Sequence, residues 1–289
     1  MLSDYFTTEE LASFLRVKPR KIYDLVSKDQ VPYSKVMGKL LFSKKEITNW
    51  ISGGKEFVNH KQNLPNVLLG SHDPLLEWAV KQSSSGIAMS FDGSLDGLDR
   101  FKSNQGIASG LHIYDSDTRE WNVSVVKTKL EQYHFVLMEW AKRDRGLIFK
   151  PDDRYNKSSI EDFLGKRLVT RQKGSGSENY LKFLLKNRNL DLSDFISTEV
   201  AFTENDAVML ILSGQADLTL GLSSEAKKYS LSFIPIVTER FDLVINRKCW
   251  FEKPFQKLMN FCRTQEFFHM ASKFHGYNIK DLGEVHFNS

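Results

Sequence analysis

The sequence predicts an α/β chain in two parts: a small winged helix-turn-helix domain at residues 1–52 and a large two-lobed α/β domain at residues 66–289, joined by a linker at 53–65. Three observations carry this. Helical spacing opened by capping boxes is concentrated at the start of the chain. A polar stretch rich in turn formers and without a period, Ser52-Gly-Gly-Lys-Glu-Phe-Val-Asn-His-Lys-Gln-Asn-Leu-Pro65, follows it. Beyond that stretch, short apolar runs alternate with helical patterns, as strands alternate with crossover helices in α/β domains.

Composition narrows the class. With 289 residues, 41% hydrophobic and 26% charged, the chain is an ordinary globular protein and not a disordered or fibrous one. The net charge of +4 permits nucleic-acid binding without requiring it. Cys249 and Cys262 are the only cysteines. They are too far apart for a zinc knuckle and too few for a disulfide scaffold, which fits a reducing compartment. The start of the chain has no basic and apolar leader pattern, and no segment approaches the ~18 apolar residues of a spanning helix. A cytoplasmic protein with no membrane partner is therefore expected.

In the first module, Thr7-Thr-Glu-Glu10 is a capping box ahead of Leu11, Phe14 and Leu15 at helical spacing. Pro19 suits the first turn of a second helix that turns Ile22, Leu25 and Val26 inward. Arg20, Lys21 and Asp24 face outward near the start of that helix with Tyr23 beside them, where a recognition helix meets bases and phosphates, and Lys18, Arg20, Lys21 and Tyr23 are the candidate DNA contacts. Val31 to Phe42 alternates as a small hairpin turning near Gly38-Lys39, a wing that offers Lys35 and Lys39 to a phosphate. Ser43-Lys-Lys-Glu46 opens a last helix through Ile47, Trp50 and Ile51. The ordered string FTTEELASFLRVKPRKIYDLVSKDQVPYSKVMGKLLFSKKEITNWI resembles the excisionase branch of the MerR-like winged helix-turn-helix family, which implies double-stranded DNA as a partner.

In the large domain, Val67-Leu-Leu69, Ile87 to Phe91 and Gly110 to Ile113 read as strands, with Leu75 to Val80 and Leu95 to Phe101 as intervening helices. Leu147-Ile-Phe149, Leu168-Val169, Val200-Ala-Phe202, Leu218-Thr-Leu220 and Phe233-Ile-Pro-Ile236 read as further short strands. The Phe255 to Phe274 run is predicted to pack as helix on the first lobe. At the chemical centre stands Thr170-Arg-Gln-Lys-Gly-Ser-Gly-Ser177, a Gly/Ser turn opening a helix with Tyr180, Leu181, Leu184 and Leu185 on its apolar face. Ser177 is the expected N-cap. The helix start, the hydroxyls of Ser175 and Ser177 and the guanidinium of Arg171 would converge on an anionic or strongly polar ligand. The residues alone leave open whether Ser177 does more than cap. Gly70-Ser71, Gly93-Ser94 and Thr203 stand at similar transitions, so Ser71, Ser94 and Thr203 join the candidate contacts across a cleft. Asp73, Asp96, Glu178, Glu204 and Asp206 lie near the same helix starts. They favour the helix dipole, are compatible with pointing outward, and leave the ligand's charge open.

Taken in order, LLGSHDPLLEW, GSLDGLDRFKSNQGIASGLHIYD, RDRGLIF, LVTRQKGSGSENYLKFLL, SGQADLTLGL and FIPIVTERFDLVI resemble the type II periplasmic-binding-protein fold. The narrower likeness is to the binding-protein-like domains of bacterial regulators and of some molybdenum-cofactor synthesis proteins. TRQKGSGS is similar to the oxyanion loop of tungstate-binding proteins. That resemblance implies Arg171, Ser175 and Ser177 as ligand contacts, with Ser71 and Ser94 from the opposite lobe, and molybdate or tungstate as candidate ligands.

No nucleophile elbow or phosphate-binding P-loop appears. The seven histidines fall in no metal-ligand spacing, and His112 reads as a satisfied interior histidine. No enzyme activity, metal or cofactor is expected. The reading is a one-component transcriptional regulator that senses a small polar molecule or oxyanion, with room for a homodimer. Its rivals are a cytoplasmic molybdenum or tungsten cofactor-handling protein or enzyme using the same cleft, and an excisionase-like architectural protein.

Overall fold

The computed structural model describes residues 4–28, 30–36, 38–51, 64–151 and 157–289. The chain divides into two compact units, Met1–Asn63 and Leu64–Ser289. Residues 53–63 of the predicted linker lie outside the described residues.

The first unit runs β1 (Tyr5–Thr7), α1 (Thr8–Phe14), α2 (Pro19–Ser27), β2 (Ser34–Val36), β3 (Lys39–Ser43) and α3 (Lys44–Ile51). Thr7 caps α1 reciprocally with Glu10: its hydroxyl accepts from the Glu10 amide at 3.3 Å, and its own amide donates to Glu10 Oε2 at 2.8 Å. The second predicted box is half formed, with the Glu46 amide donating to Ser43 Oγ at 3.5 Å. Between α1 and α2 the chain turns through Arg16 in the left-handed region, φ 54°. Leu11, Ala12, Ile22, Val31, Phe42 and Ile47 form a small core under the antiparallel sheet β1-β3-β2.

The second unit begins β4 (Val67–Gly70), α4 (Pro74–Gln82), β5 (Ala88–Ser90), α5 (Ser94–Lys102) and β6 (Ala108–Leu111). A hairpin, β7 (Tyr114–Asp115) and β8 (Glu120–Trp121), and α6 (Val123–Lys129) lead into the long β9 (Phe135–Phe149). Next come β10 (Arg167–Val169), α7 (Gly176–Asn187), β11 (Ile196–Ser197), α8 (Glu204–Leu212), β12 (Leu218–Leu222), α9 (Ser223–Lys228) and a second long strand, β13 (Ser232–Asn246). The chain closes with α10 (Lys253–Phe261), α11 (Gln265–Ala271), β14 (Tyr277–Asn278) and β15 (Val285–Asn288).

One sheet, ordered β11-β10-β12-β9-β13-β6-β4-β5, runs through the whole unit. The triads β4, β5, β6 and β10, β11, β12 are each parallel, and each forms one lobe. The antiparallel pair β9 and β13 joins them. Asp242 to Ile245 of β13 pair with β6 in the first lobe, while Arg145 to Phe149 of β9 pair with β12 in the second. Phe255, Leu258, Met259, Cys262, Phe267 and Ala271 pack with Leu68, Leu75 and Trp140, so the C-terminal helices lie on the first lobe as predicted.

Two expectations are corrected. Leu147-Ile-Phe149 and Phe233-Ile-Pro-Ile236 are not separate short strands but parts of fifteen-residue strands. Buried Arg143, Arg145, Glu239 and Asp242 break the apolar pattern by which a strand is recognised. Val200-Ala-Phe202 forms only an isolated bridge between Ala201 and Arg171, and the strand of that segment is Ile196–Ser197.

Candidate ligand cleft and nucleic-acid face

The two long strands bring charge to the middle of the second unit. Arg143 and Arg145 are two apart on β9, so both point to the same face, and both are fully buried. On the paired strand, Glu239 receives Arg145 Nε at 2.7 Å and Arg145 Nη2 at 3.0 Å, and Arg143 Nη2 as well. His112, just past β6, places Nδ1 3.0 Å from the same carboxylate and stacks on Phe241. Arg143 also lies over the Phe241 ring, 4.3 Å from its centroid, and bonds Asp73 Oδ2 at 2.7 Å.

Asp73 is the hub on the first lobe. It caps α4 through the Leu76 amide at 2.7 Å and accepts Trp140 Nε1 at 3.0 Å and the Tyr277 hydroxyl at 2.7 Å. Glu204 is the hub on the second lobe. It meets Arg145 Nη2 at 3.0 Å, Arg171 Nη1 at 2.9 Å and the Ser177 hydroxyl at 3.3 Å. Of the two orientations left open for the acids at these helix starts, Asp73 and Glu204 take the inward one. Both are buried, because Arg143 on one side and Arg145 with Arg171 on the other supply the charge that makes burial tolerable.

These charges balance. Arg143, Arg145 and Arg171 face Asp73, Glu204 and Glu239, and burial lowers the His112 pKa more than Glu239 raises it, which favours the neutral imidazole. Burial alone would raise the Glu204 carboxyl, but Arg145 and Arg171 outweigh it and hold the group at about 2. Glu239 is likewise held well below the ordinary range by Arg143 and Arg145 despite its burial.

The lobes meet over this network. The Leu95 amide donates to Gly174 O at 3.2 Å, and Gln172 Nε2 to Asp92 O at 3.3 Å. Gly176 lies so close that a Cβ there would sit 2.3 Å from the His112 carbonyl oxygen. On the first lobe, α5 is seated on the end of β4, where a Cβ on Gly97 would fall 2.1 Å from the Cα of Gly70.

Four of the six predicted contacts fall into two groups, and the other two, Ser175 and Thr203, cap helices. Ser71 and Ser94 are buried and bonded to each other, Oγ to Oγ at 2.7 Å, with the His112 amide donating to Ser94 Oγ at 3.2 Å. Arg171 and Ser177 come together on Glu204. Arg171 also donates to the carbonyls of Ala201 at 3.1 Å and Phe202 at 2.8 Å. The N-cap of α7 is Ser175, whose hydroxyl accepts from the Glu178 amide at 3.1 Å, and not Ser177. The helix starts at Gly176, two residues earlier than an N-cap at Ser177 implies, and the Ser177 side chain bonds Glu204 from its first turn. Thr203 is engaged in a capping box with Asp206. Glu239 links the two groups, through Arg145 to Glu204 and through His112 to Ser94.

Several buried polar atoms have no hydrogen-bond partner among the described residues: Arg143 Nε, His72 Nδ1, Ser224 Oγ and Glu225 Oε2, the last of which has only an ion pair with Lys228 Nζ at 3.6 Å. His72 follows Ser71 at the end of β4, and Ser224 and Glu225 open α9 after β12, so these atoms belong to the facing strand ends of the two lobes. Burial raises the Glu225 carboxyl.

In the first unit, Lys18, Arg20, Lys21, Tyr23, Lys35 and Lys39 are all exposed. No side chain caps α2. Lys21 pairs with Asp24 at 3.1 Å, and Lys28 pairs with the same carboxylate at 3.0 Å. Among the described residues Arg20 has no such pair. Lys39 opens β3 opposite Val36, at the turn of the hairpin.

Two three-stranded parallel lobes joined by a pair of long antiparallel strands define a binding-protein fold. Residues 76–263 match the PBP superfamily domain, and the chain belongs to that family. Residues 5–55 match a helix-turn-helix domain. A curated relative, the uncharacterized protein YvgK of Bacillus subtilis (strain 168), is 26% identical over 97% of both chains. Among solved structures, a Clostridium perfringens protein assigned to a phosphate ABC transporter, with bound phosphate, superposes with a TM-score of 0.55 at 13% identity, covering 74% of this chain and 99% of its own. The regulatory domain of MetR, a LysR family regulator from N. meningitidis, gives 0.52 at 12% identity, covering 73% and 97%. These two likenesses are of fold. No helix of the described residues is long and apolar enough to cross a membrane.

Proposed function

We propose that the chain is a one-component transcriptional regulator, in which the winged helix-turn-helix unit binds duplex DNA and the binding-protein unit closes on a small polar ligand. The observation that carries this reading is the union, in one chain, of a helix-turn-helix unit with exposed basic residues on α2 and the wing and two lobes that meet over buried polar atoms without hydrogen-bond partners among the described residues. Arg20 at the start of α2 and Lys35 and Lys39 of the wing are exposed and can meet phosphates and base edges, while Lys21 would exchange Asp24 for a phosphate. Ligand binding would bias lobe closure, because a ligand that touches both lobes favours the closed state by its differential affinity.

The charge balance of the cleft bears on the ligand. A molybdate or tungstate dianion would enter a site whose three guanidinium groups already face three carboxylates, and Arg171, the cation assigned to it, is committed to Glu204. A neutral or zwitterionic metabolite fits better. Its donors and acceptors would answer Glu225, Ser224, His72 and Arg143 Nε without unbalancing the network. Glu204 and Glu239 are held ionised at neutral pH and bonded to arginines, which does not suit either of them to serve as a general acid.

The test uses the full chain. Fluorescence anisotropy with duplex DNA at several salt concentrations should show binding that weakens as salt rises. Isothermal titration with an amino-acid and small-metabolite panel, beside molybdate and tungstate, identifies the ligand class. Absence of salt-sensitive DNA binding would remove the regulator assignment. Heat from an oxyanion alone would restore the oxyanion and overturn the charge argument.

A further inference from the structure

We propose that Glu139, Glu284 and His286 form a site for a divalent transition-metal ion, Zn²⁺ above Mn²⁺, which fastens the end of the chain to the long central strand. One carboxylate oxygen from each glutamate and one imidazole nitrogen lie within 4.8 Å of one another. The site is separate from the ligand cleft: none of its three members touches the Arg143, Arg145, Glu204 and Glu239 network.

The backbone fixes these donors. Glu139 lies on β9 with its side chain 1% exposed, Glu284 directly precedes β15, and the register of β15 on β9 shifts between Val285 and Phe287, an irregularity that falls at His286 and re-aims its side chain. Two backbone bonds clamp the segments together, from the Glu139 amide to Glu284 O at 2.8 Å and from the Gly283 amide to Glu139 O at 3.0 Å. His286 Nε2 is 2.9 Å from Glu139 Oε2. Two ligands held at about 2.0 to 2.2 Å from a zinc ion are themselves roughly 3 to 3.5 Å apart, so this pair needs only a small widening to admit the ion. His286 is 18% exposed and Glu284 is exposed, which leaves a side open for water to complete the shell.

Electrostatics agrees. The other oxygen of Glu139 faces Lys142 Nζ at the longer distance of 3.6 Å, and Lys142 is bound more tightly to Asp281 at 2.6 Å. Glu139, Glu284 and Asp281 thus outnumber Lys142 by two charges when His286 is neutral, the charge a divalent ion supplies. Two carboxylates and one imidazole suit borderline ions such as Zn²⁺, with Mn²⁺ weaker in the usual affinity order. The sequence hides the site because Glu284-Val-His286 is a two-residue spacing and its third ligand is far away in the chain.

Chelator-treated full-length protein titrated with zinc chloride, then separately with manganese chloride, should bind one ion per chain, zinc the tighter, and the zinc-loaded protein should melt at a higher temperature. His286→Ala and Glu284→Gln, both outside the core, should each weaken zinc by about tenfold or more, since even outer partners of metal ligands are worth 10- to 100-fold. Zinc should also slow amide exchange across 284–288 in the wild type and not in His286→Ala. No binding of either ion, or unchanged zinc affinity in both folded variants, would overturn the site.

Discussion

Glu204→Gln removes one negative charge from a buried network that is otherwise balanced. The carboxylate touches Arg145 at 3.0 Å, Arg171 at 2.9 Å and Ser177 at 3.3 Å, and all four residues are buried. Breaking a buried ion pair by removing one partner costs about 3 to 5 kcal/mol. The amide oxygen of glutamine still accepts one hydrogen bond and Arg145 keeps Glu239, so the lower end, about 3 kcal/mol, is the expected cost. For a domain of this size each kcal/mol moves the melting temperature by roughly 2 to 4 °C, which predicts a fall of roughly 6 to 12 °C. Acid supplies a control with a definite sign. Glu204 is depressed from an ordinary 4.5 to about 2, so the stability it contributes is present above pH 4.5 and is lost as pH falls toward 2. The gap between wild type and variant should narrow over that window. Sulfate or molybdate, which can replace the missing charge, should raise the melting temperature of Glu204→Gln more than that of the wild type. Calorimetry of the full chain reads all three effects, and a melting temperature within about 1 °C of wild type at neutral pH would refute the buried, balanced network.

Gly176→Ala places a methyl group where the His112 carbonyl stands, so the lobes must part at that point; hydrogen exchange at the Leu95 amide should quicken and ligand affinity should drop, and unchanged protection would contradict the closed contact. Arg171→Ala leaves Glu204 with Arg145 alone; it should lower stability, and under the zwitterion reading it should weaken a metabolite without creating oxyanion affinity, as titration calorimetry would show. Arg20→Ala should cost DNA binding about 1 to 3 kcal/mol with relaxed specificity at one position, if the side chain reads a guanine. Lys39→Ala on the wing should weaken all duplexes alike and flatten the salt dependence by about one unit, measured by anisotropy.

The parts of the fold legible in the sequence are those in which local chemistry and global packing agree. Thr7 with Glu10, Pro19 and the apolar face of Tyr180, Leu181, Leu184 and Leu185 each state an element by local rules, and the tertiary structure leaves those rules in force. The long strands β9 and β13 fail the same reading. Their centres carry Arg143, Arg145, Glu239 and Asp242 at positions with almost no exposure, and a charged residue in a pattern scan counts as surface. The signal that could have found the network is Arg143-Asp-Arg145 beside Leu147-Ile-Phe149. Two arginines on one face of a strand whose continuation is wholly buried must either end the strand or carry their counter-ions with them. The counter-ions lie as far off as Asp73 and Glu239, a separation no spacing rule spans.

The hydroxyls proposed as contacts were found from local loop chemistry, and the structure uses them locally: Ser175 and Thr203 cap helices, and Ser71 bonds Ser94. Arg171 and Ser177 reach the charged network, both through Glu204. A site built this way gains selectivity from charge balance more than from the number of donors. A ligand that displaces a guanidinium or a carboxylate from its buried partner without replacing its charge would do so at a cost of several kcal/mol. A ligand carrying both signs can exchange with the network pair for pair. On that argument, if the proposed ligand site lies at this network, its balanced acidic and basic groups would discriminate against simple anions despite its three arginines, and arginine content alone would be a poor guide to the ligand.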